Sequence, residues 1–330
     1  MLPISPWSSD NPLRILARQV DVGEAVGYRE LTVFPLTLRR AAESGIATLD
    51  QTLAHDGLTI REQDEPNVAT LRVRNTSSRP VLLMAGEILQ GGRQNRIVRE
   101  DVLLPADSSF VQVPVYCGEQ RRWEGGKQEF KTSGGLAGHE VRGMAARAAP
   151  QADVWQAIDS QLLSARVEAP TRNVQTIYDD KEAQRAASEA VQNLMGVVGR
   201  ETVGVMVISR GQVLSCDLFS DPVLLAQLWP KICRAHAVDE CLGRNRPLPE
   251  EIQWRPPDRG RAWSFLTDIA AARMTSQETP GAGETIVVSG AVEGRALVWR
   301  EHVAHAALFP ASPPIRPLPR MSSERREVMR

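Results

Sequence analysis

Lysine is scarce in this chain. It stands only at positions 127, 131, 181 and 231 among 39 Lys and Arg residues, so arginine carries nearly all of the positive charge. A guanidinium is the better fork for phosphate or carboxylate, although a GC-rich coding sequence gives the same bias. Excess charge of one sign is also missing. The formal net charge of -1 offers no general attraction to nucleic acid or to an acidic membrane surface, and neither is expected as a partner. The four cysteines, Cys117, Cys216, Cys233 and Cys241, have no CxxC spacing and no partnered histidine pair, which removes the usual zinc patterns. No apolar run approaches the ~18–20 residues of a membrane-spanning helix. The opening MLPISPWSSDNP has neither the basic nor the apolar stretch of a secretory signal. A cytoplasmic setting is therefore expected. Walker A, GxGxxG and GxSxG patterns are absent as well. The phosphate loop, the dinucleotide fingerprint and the α/β-hydrolase nucleophile elbow thus have no support.

What is present predicts an α+β protein. With 330 residues, 42% hydrophobic and 24% charged, the chain can form two globular domains or one large one. Residues 1–27, broken by Pro3, Pro6, Pro12, Gly23 and Gly27, predict an irregular lead-in. Tyr28–Leu38 alternates as a strand does, and a short helix over Gly45–His55 is stopped by Gly57. Further strands are expected at Leu58–Arg61, Val68–Arg74, Val81–Met84, Ile97–Leu104 and Phe110–Cys117. Pro114 cannot donate to a ladder, so the last of these is expected at an edge or a bulge. Short strands with turns every ~8–12 residues suggest an antiparallel sheet, sandwich- or barrel-like.

Residues 124–150, rich in Gly and Ala, read as a mobile loop, a connector in preference to a lid. Helical spacing follows in Val154, Trp155, Ile158 and Leu162. Asp179 or Asp180 caps a helix running to Met195, Ser220 or Asp221 caps another that begins at Pro222, and Arg261–Arg273 forms a further helix. Two hairpins are expected, Val203–Ile208 with Val213–Phe219 and Thr285–Val288 with Ala296–Trp299. The expected organisation is an antiparallel β-rich part over residues 1–125 and a helix-rich α+β part over 126–309 packed on it. A disordered tail over 310–330 follows, since five prolines and five arginines leave too little apolar surface to order it.

The stretch Val81–Trp123 concentrates the chemistry. Gly91 and Gly92 let a backbone approach a ligand closely and aim N–H groups at an oxyanion. Arg93 or Arg96 can fork onto phosphate or carboxylate, and Gln94 and Asn95 suit hydroxyls or an amide. A Gly-Gly hairpin turn with a solvated strand face accounts for the same residues. Glu87 and Glu119 sit at strand ends beside arginines. They are candidates for acid–base catalysis or for binding a hard cation, or they are salt-bridged surface acids. Arg122 adds charge, and Trp123 can stack on a base or sugar. Cys117, near Arg121 and Arg122, would be activated if they lowered its pKa. Asp217, an acid in an apolar strand, is either a turn carboxylate or a site member. His302 and His305 show no partner and read as structural.

Together these residues resemble a known bacterial family. Gly86-Glu87, Gly91-Gly92-Arg93-Gln94-Asn95-Arg96, Val113–Glu119 and Arg122-Trp123 are similar to the signature of a family named for its association with ADP-ribosylglycohydrolases and rhodanese-phosphatase proteins. Gln151 with Val154-Trp155, Gly204 with Asp217-Leu218-Phe219, and Trp229-Pro230 resemble its later blocks. The likeness runs over roughly residues 25–305. It implies a setting in NAD and ADP-ribose metabolism and a small-molecule nucleotide ligand, but names neither a reaction nor a cofactor. Two further functions stand beside nucleotide recognition: a structural or interaction protein without catalysis, and a Cys117-dependent hydrolase or transferase.

Overall fold

A computed structural model describes residues 11–63, 69–122, 129–243 and 258–311. The tail expected to be disordered lies almost wholly outside these residues. The architecture is α+β, and nearly every strand pairing is antiparallel; the parallel exception joins Ala47–Thr48 to Val81–Leu83.

Three sheets organise the chain. A six-stranded sheet runs in the order Phe130–Leu136, Glu87–Gly91, Arg96–Val98, Val111–Cys117, Thr70–Asn75 and Leu58–Arg61. It curls into a half-barrel whose two edges meet at a bridge between Arg61 and Glu129. Leu71, Val73, Leu89, Val98, Val113, Val115 and Phe130 fill its hollow together with Leu49 and Leu83. This is the barrel-like sheet that the alternating N-terminal strands predicted. A small three-stranded sheet of Val102–Leu104, Val81–Leu83 and Ala47–Thr48 adds Val81, Val102, Leu104 and Ala47 to the same core. The nine-stranded sheet is built mainly from later residues: Thr202–Ser209, Gln212–Leu218, His302–Pro310, Val292–Trp299, Glu284–Ser289 and Arg273–Gln277 follow one another across it. Leu31–Thr37 pairs with Thr202–Ser209 over seven residue positions, so an early strand is part of this late sheet.

Helices cover both faces of the large sheet. Helices Pro12–Gln19 and Arg259–Ala271 bury Leu13, Leu16, Phe265 and Ile269 against one face. Helices Lys181–Leu194 and Pro222–Gly243 pack on the other through Ala190, Leu224, Leu228, Trp229 and Ile232. The 22-residue helix Pro222–Gly243 also carries Val238 and Leu242 against the back of the half-barrel, so it lies between the two large sheets. A buried side chain of this size contributes ~1.5–3 kcal/mol, and the helix buries at least six of them.

Four expectations change. The lead-in holds a helix, Pro12–Gln19, capped by Asn11, whose side chain accepts from the Arg14 N–H; Pro12 stands at the first helical position, where its missing N–H costs nothing. Residues 130–146 are not a connector: they form the strand Phe130–Leu136 and the helix His139–Ala146. The strand Val111–Cys117 is internal. It pairs with Thr70–Asn75 up to Pro114 and with Arg96–Val98 from Val115 onward, so the missing donor falls where the partner changes. A last strand, His302–Pro310, also forms: it folds back on Val292–Trp299 as a hairpin and joins the distant strand Gln212–Leu218 on its other side.

Candidate functional site

The Gly91–Arg96 turn closes the hairpin between Glu87–Gly91 and Arg96–Val98. Its glycines are required by protein packing. Gly91 has φ +137°, and a Cβ there would lie 2.4 Å from the Glu129 carbonyl oxygen; a Cβ on Gly92 would meet the Phe130 ring at the same distance. Two of the turn's N–H groups are also engaged: Gly91 donates to Asn95 Oδ1 at 3.1 Å and Arg93 to Glu62 Oε1 at 2.9 Å. The expected oxyanion nest therefore already holds a protein carboxylate. Glu62 was not singled out in the sequence, where nothing but its position before a strand break marked it.

Arg96 is buried, not a surface fork. Its Nη1 donates to Gln94 O at 3.1 Å, Gln94 Oε1 at 3.2 Å and Asn95 O at 3.4 Å, its Nη2 approaches Glu62 at 3.5 Å, and its Nε has no partner among the described residues. Burial pulls its pKa down. Gln94 is buried with it. Glu119 is likewise buried, accepting from Arg122 Nε at 2.8 Å and from the Asn95 N–H at 3.3 Å. Arg122 also donates to Gly92 O at 3.0 Å and Asn95 Oδ1 at 3.3 Å. Arg93 and Arg122 thus form the solvent-facing rim, with side chains 48% and 30% exposed. Trp123 lies outside the described residues.

Glu87 belongs to another place. It begins the strand that Gly91 ends, so four residues at ~3.3 Å each separate it from the turn by roughly 13 Å. The two candidate acids, Glu87 and Glu119, are not brought together. Glu87 is fully buried, accepts the Met84 N–H at 2.9 Å and meets Lys231 Nζ at 2.5 Å. Lys231 also reaches Asp50 at 2.7 Å, whose other oxygen accepts from the Thr132 hydroxyl at 2.5 Å. Burial raises the Glu87 pKa, with Lys231 opposing. Burial alone would lower that of Lys231, but Glu87 and Asp50 outweigh it, so the ammonium stays charged. A lone lysine in the apolar run Leu224–Ala237, in a chain that hardly uses lysine, was the available signal.

Asp217 sits in a second buried network. It receives both terminal nitrogens of Arg142, and its neighbour Ser215 donates to it at 3.1 Å. His305 bridges it, at 3.1 Å, to Asp101 at 2.7 Å. Burial would raise the Asp217 pKa; the Arg142 charge and His305 more than offset that and hold it far below the ordinary carboxylate range. Burial would lower His305, yet Asp101 and Asp217 lift it to about 9. His305 therefore has acidic partners, supplied by strands distant in sequence, and Phe219 stacks on its ring at 4.7 Å. Ser215 also meets His236 Nε2 at 3.0 Å, while among the described residues His236 Nδ1 has no partner. Both are buried, and among the described residues no carboxylate bonds the ring to orient it, so they do not form a nucleophilic triad of the Ser-His-Asp kind.

Cys117 faces Arg96 rather than Arg121 and Arg122. Burial raises its pKa, and the Arg96 charge only partly opposes this, so it lacks the lowered pKa of a reactive thiol. A cleft of about 220 Å³ lies elsewhere, lined by Ser44, Asp221, Trp299, Arg300 and His302 among others; it is smaller than the ~300–1,000 Å³ of small-molecule sites and touches none of the groups above. Among the described residues, no cluster of three or more His, Cys, Asp or Glu is arranged to hold a metal ion, and no helix is long and apolar enough to cross a membrane.

Comparison with known families matches the chain over residues 19–309 to the ARG and Rhodanese-Phosphatase-superfamily-associated Protein domain, ARPP-1. Comparison with curated proteins and with solved structures gives no match. The match takes in almost all of the described residues, and the chain belongs to this family.

Proposed function

We propose that this member of the ARPP-1 family is a nucleotide-recognition protein, and that it holds the pyrophosphate of ADP-ribose or a related NAD-derived nucleotide on the Arg93–Arg122 rim. The observation that carries the reading is the way Arg122 is held. Its guanidinium has five N–H donors in a fixed plane. Among the described residues, Glu119, Gly92 and Asn95 engage three of them. The remaining two belong to a pre-oriented fork beside Arg93, and such a fork suits a phosphate oxygen pair. Fixing the side chain in advance lowers the ordering cost of binding. Glu119 acts here as the support of Arg122, and Arg96 with Gln94 as the support of the turn. The family name, with ARG read as ADP-ribosylglycohydrolase, is consistent with this ligand class, by association alone. No bond-making or bond-breaking step is assigned.

Isothermal titration with ADP-ribose tests the proposal. Wild type is expected to bind, and Arg122→Lys to lose at least about tenfold in affinity, because an ammonium cannot keep three anchors and still present a fork. Arg93→Ala is expected to weaken binding similarly without lowering Tm. Absence of heat with ADP-ribose, NAD and ADP alike, or full affinity in both variants, refutes it.

A further inference from the structure

The Glu87–Lys231–Asp50 cluster has three features that a purely structural ion pair does not require. First, it opens to solvent on one side: Lys231 and Glu87 are buried, whereas the Asp50 side chain is 38% exposed. Second, the strand beside it is bulged. Thr132 pairs with Leu89 and Leu136 with Glu87, so four steps on one strand span two on the other. Bulges of this sort re-aim side chains and recur beside binding sites. Within the bulge Gly134 has φ +67° and no atom within 4 Å of where a Cβ would stand. Third, hydrogen-bonding capacity is left over. The ammonium has three donors, of which, among the described residues, Glu87 and Asp50 take two. One helical turn earlier, on the same face of helix Pro222–Gly243, the buried Gln227 Oε1 has no partner among the described residues.

We infer that this cluster is a binding site for a neutral polyhydroxyl ligand, a sugar or polyol presenting adjacent hydroxyls. Charge selects the class. Two carboxylates and one ammonium leave a net negative charge that repels phosphates, and the ammonium between the carboxylates repels a metal ion. A hydroxyl fits, because it both accepts and donates: it can accept from the third Lys231 N–H and donate to Gln227 Oε1. A neighbouring hydroxyl can donate to the exposed side of Asp50. The site lies at the opposite end of the Glu87–Gly91 strand from the arginine rim and does not rest on the nucleotide proposal.

Saturation-transfer NMR with D-ribose, titrated to tens of millimolar, tests it on the full chain. Wild type and Arg93→Ala are expected to show equal transfer, with inorganic phosphate failing to compete. Asp50→Asn and Gln227→Leu are expected to weaken binding by about tenfold each. Gln227→Leu removes an unpaired buried carbonyl, so its Tm is expected to hold or rise while binding falls; a structural role alone would not separate the two. No transfer to D-ribose in wild type, or undiminished transfer in both variants, overturns the proposal.

Discussion

His305 makes stability fall with rising pH in a window where little else titrates. Its ring lies between Asp101 and Asp217, fully buried, and those carboxylates lift its pKa from 6.5 to about 9 against the opposing effect of burial. In the unfolded chain the ring releases its proton near 6.5. Between these values the native state holds more protons than the unfolded state, so each step upward in pH favours unfolding. The contribution is complete below pH 6.5 and is lost as pH passes about 9. At ~1.4 kcal/mol per pKa unit, the shift corresponds to about 3 kcal/mol. His236 has the opposite sense: burial lowers it to about 4, so below 6.5 the unfolded chain binds the extra proton and stability falls as pH falls. Burial pushes Cys117 and Cys216 upward and Cys233 to about 12, so above the ordinary thiol value of ~8.5 the unfolded chain gives up these protons first and they steepen the alkaline fall; Tyr116 and Tyr178, also raised by burial, act in the same sense only from ~10 upward.

Urea unfolding followed by tryptophan fluorescence between pH 6 and 9.5 reads this directly. Wild type is expected to be most stable near pH 6.5 and to lose about 3 kcal/mol by the alkaline end. His305→Gln is expected to be less stable at pH 6 and nearly flat from there to about pH 8, since it cannot carry the charge; above ~8.5 the buried thiols give both proteins the same further fall. A wild-type change under about 1 kcal/mol between pH 6.5 and 9, or an equal slope in the variant, would refute a protonated His305.

Two further substitutions and one chemical treatment separate packing from function. Gly91→Ala places a Cβ 2.4 Å from the Glu129 carbonyl at φ +137° and is expected to cost ~3 kcal/mol, whereas Gly134→Ala, with open space around it, costs ~1 kcal/mol; equal losses in thermal unfolding would disprove the packing account. Cys117 is 3% exposed with a raised pKa, so iodoacetamide at neutral pH is expected to leave it unlabelled until urea is added. Rapid labelling of the native protein would restore a thiol mechanism.

Local signals in the sequence were sound where one segment's own residues decide the outcome. Asp180 and Asp221 cap their helices by accepting from following N–H groups, and the hairpin of Thr202–Ser209 with Gln212–Leu218 lies where alternation placed it. What could not be read was partnership across the chain. Whether Arg96 faces solvent depends on Glu62, 34 residues away, and on a strand that closes over the turn. His302 and His305 looked alike in sequence, yet His302 is exposed at a hairpin end, while His305 lies between carboxylates 204 and 88 positions distant. Arginine-rich glycine turns read the same whether their N–H groups face a ligand or a protein carboxylate.

The four residues Met84–Glu87 explain why so much buried charge gathers in one region. The Ala85 N–H donates to Asp101 at 2.7 Å and the Met84 N–H to Glu87 at 2.9 Å. Gly86, at φ +96°, packs so closely that a Cβ would lie 2.7 Å from Arg142 Cγ. One turn therefore touches both networks. Glu87, Asp101 and Asp217 face Lys231, Arg142 and the protonated His305, three buried carboxylates against three cations. Removing one member of such a set strands its partner's charge at a cost of ~3–5 kcal/mol. The half-barrel, the large sheet and the central helix each contribute members, so their relative placement is fixed by charge matching as well as by apolar contact. Glu87 thereby becomes one of the anchors of this junction, and it is the half-exposed Asp50, not Glu87, that presents a carboxylate to whatever approaches from solvent.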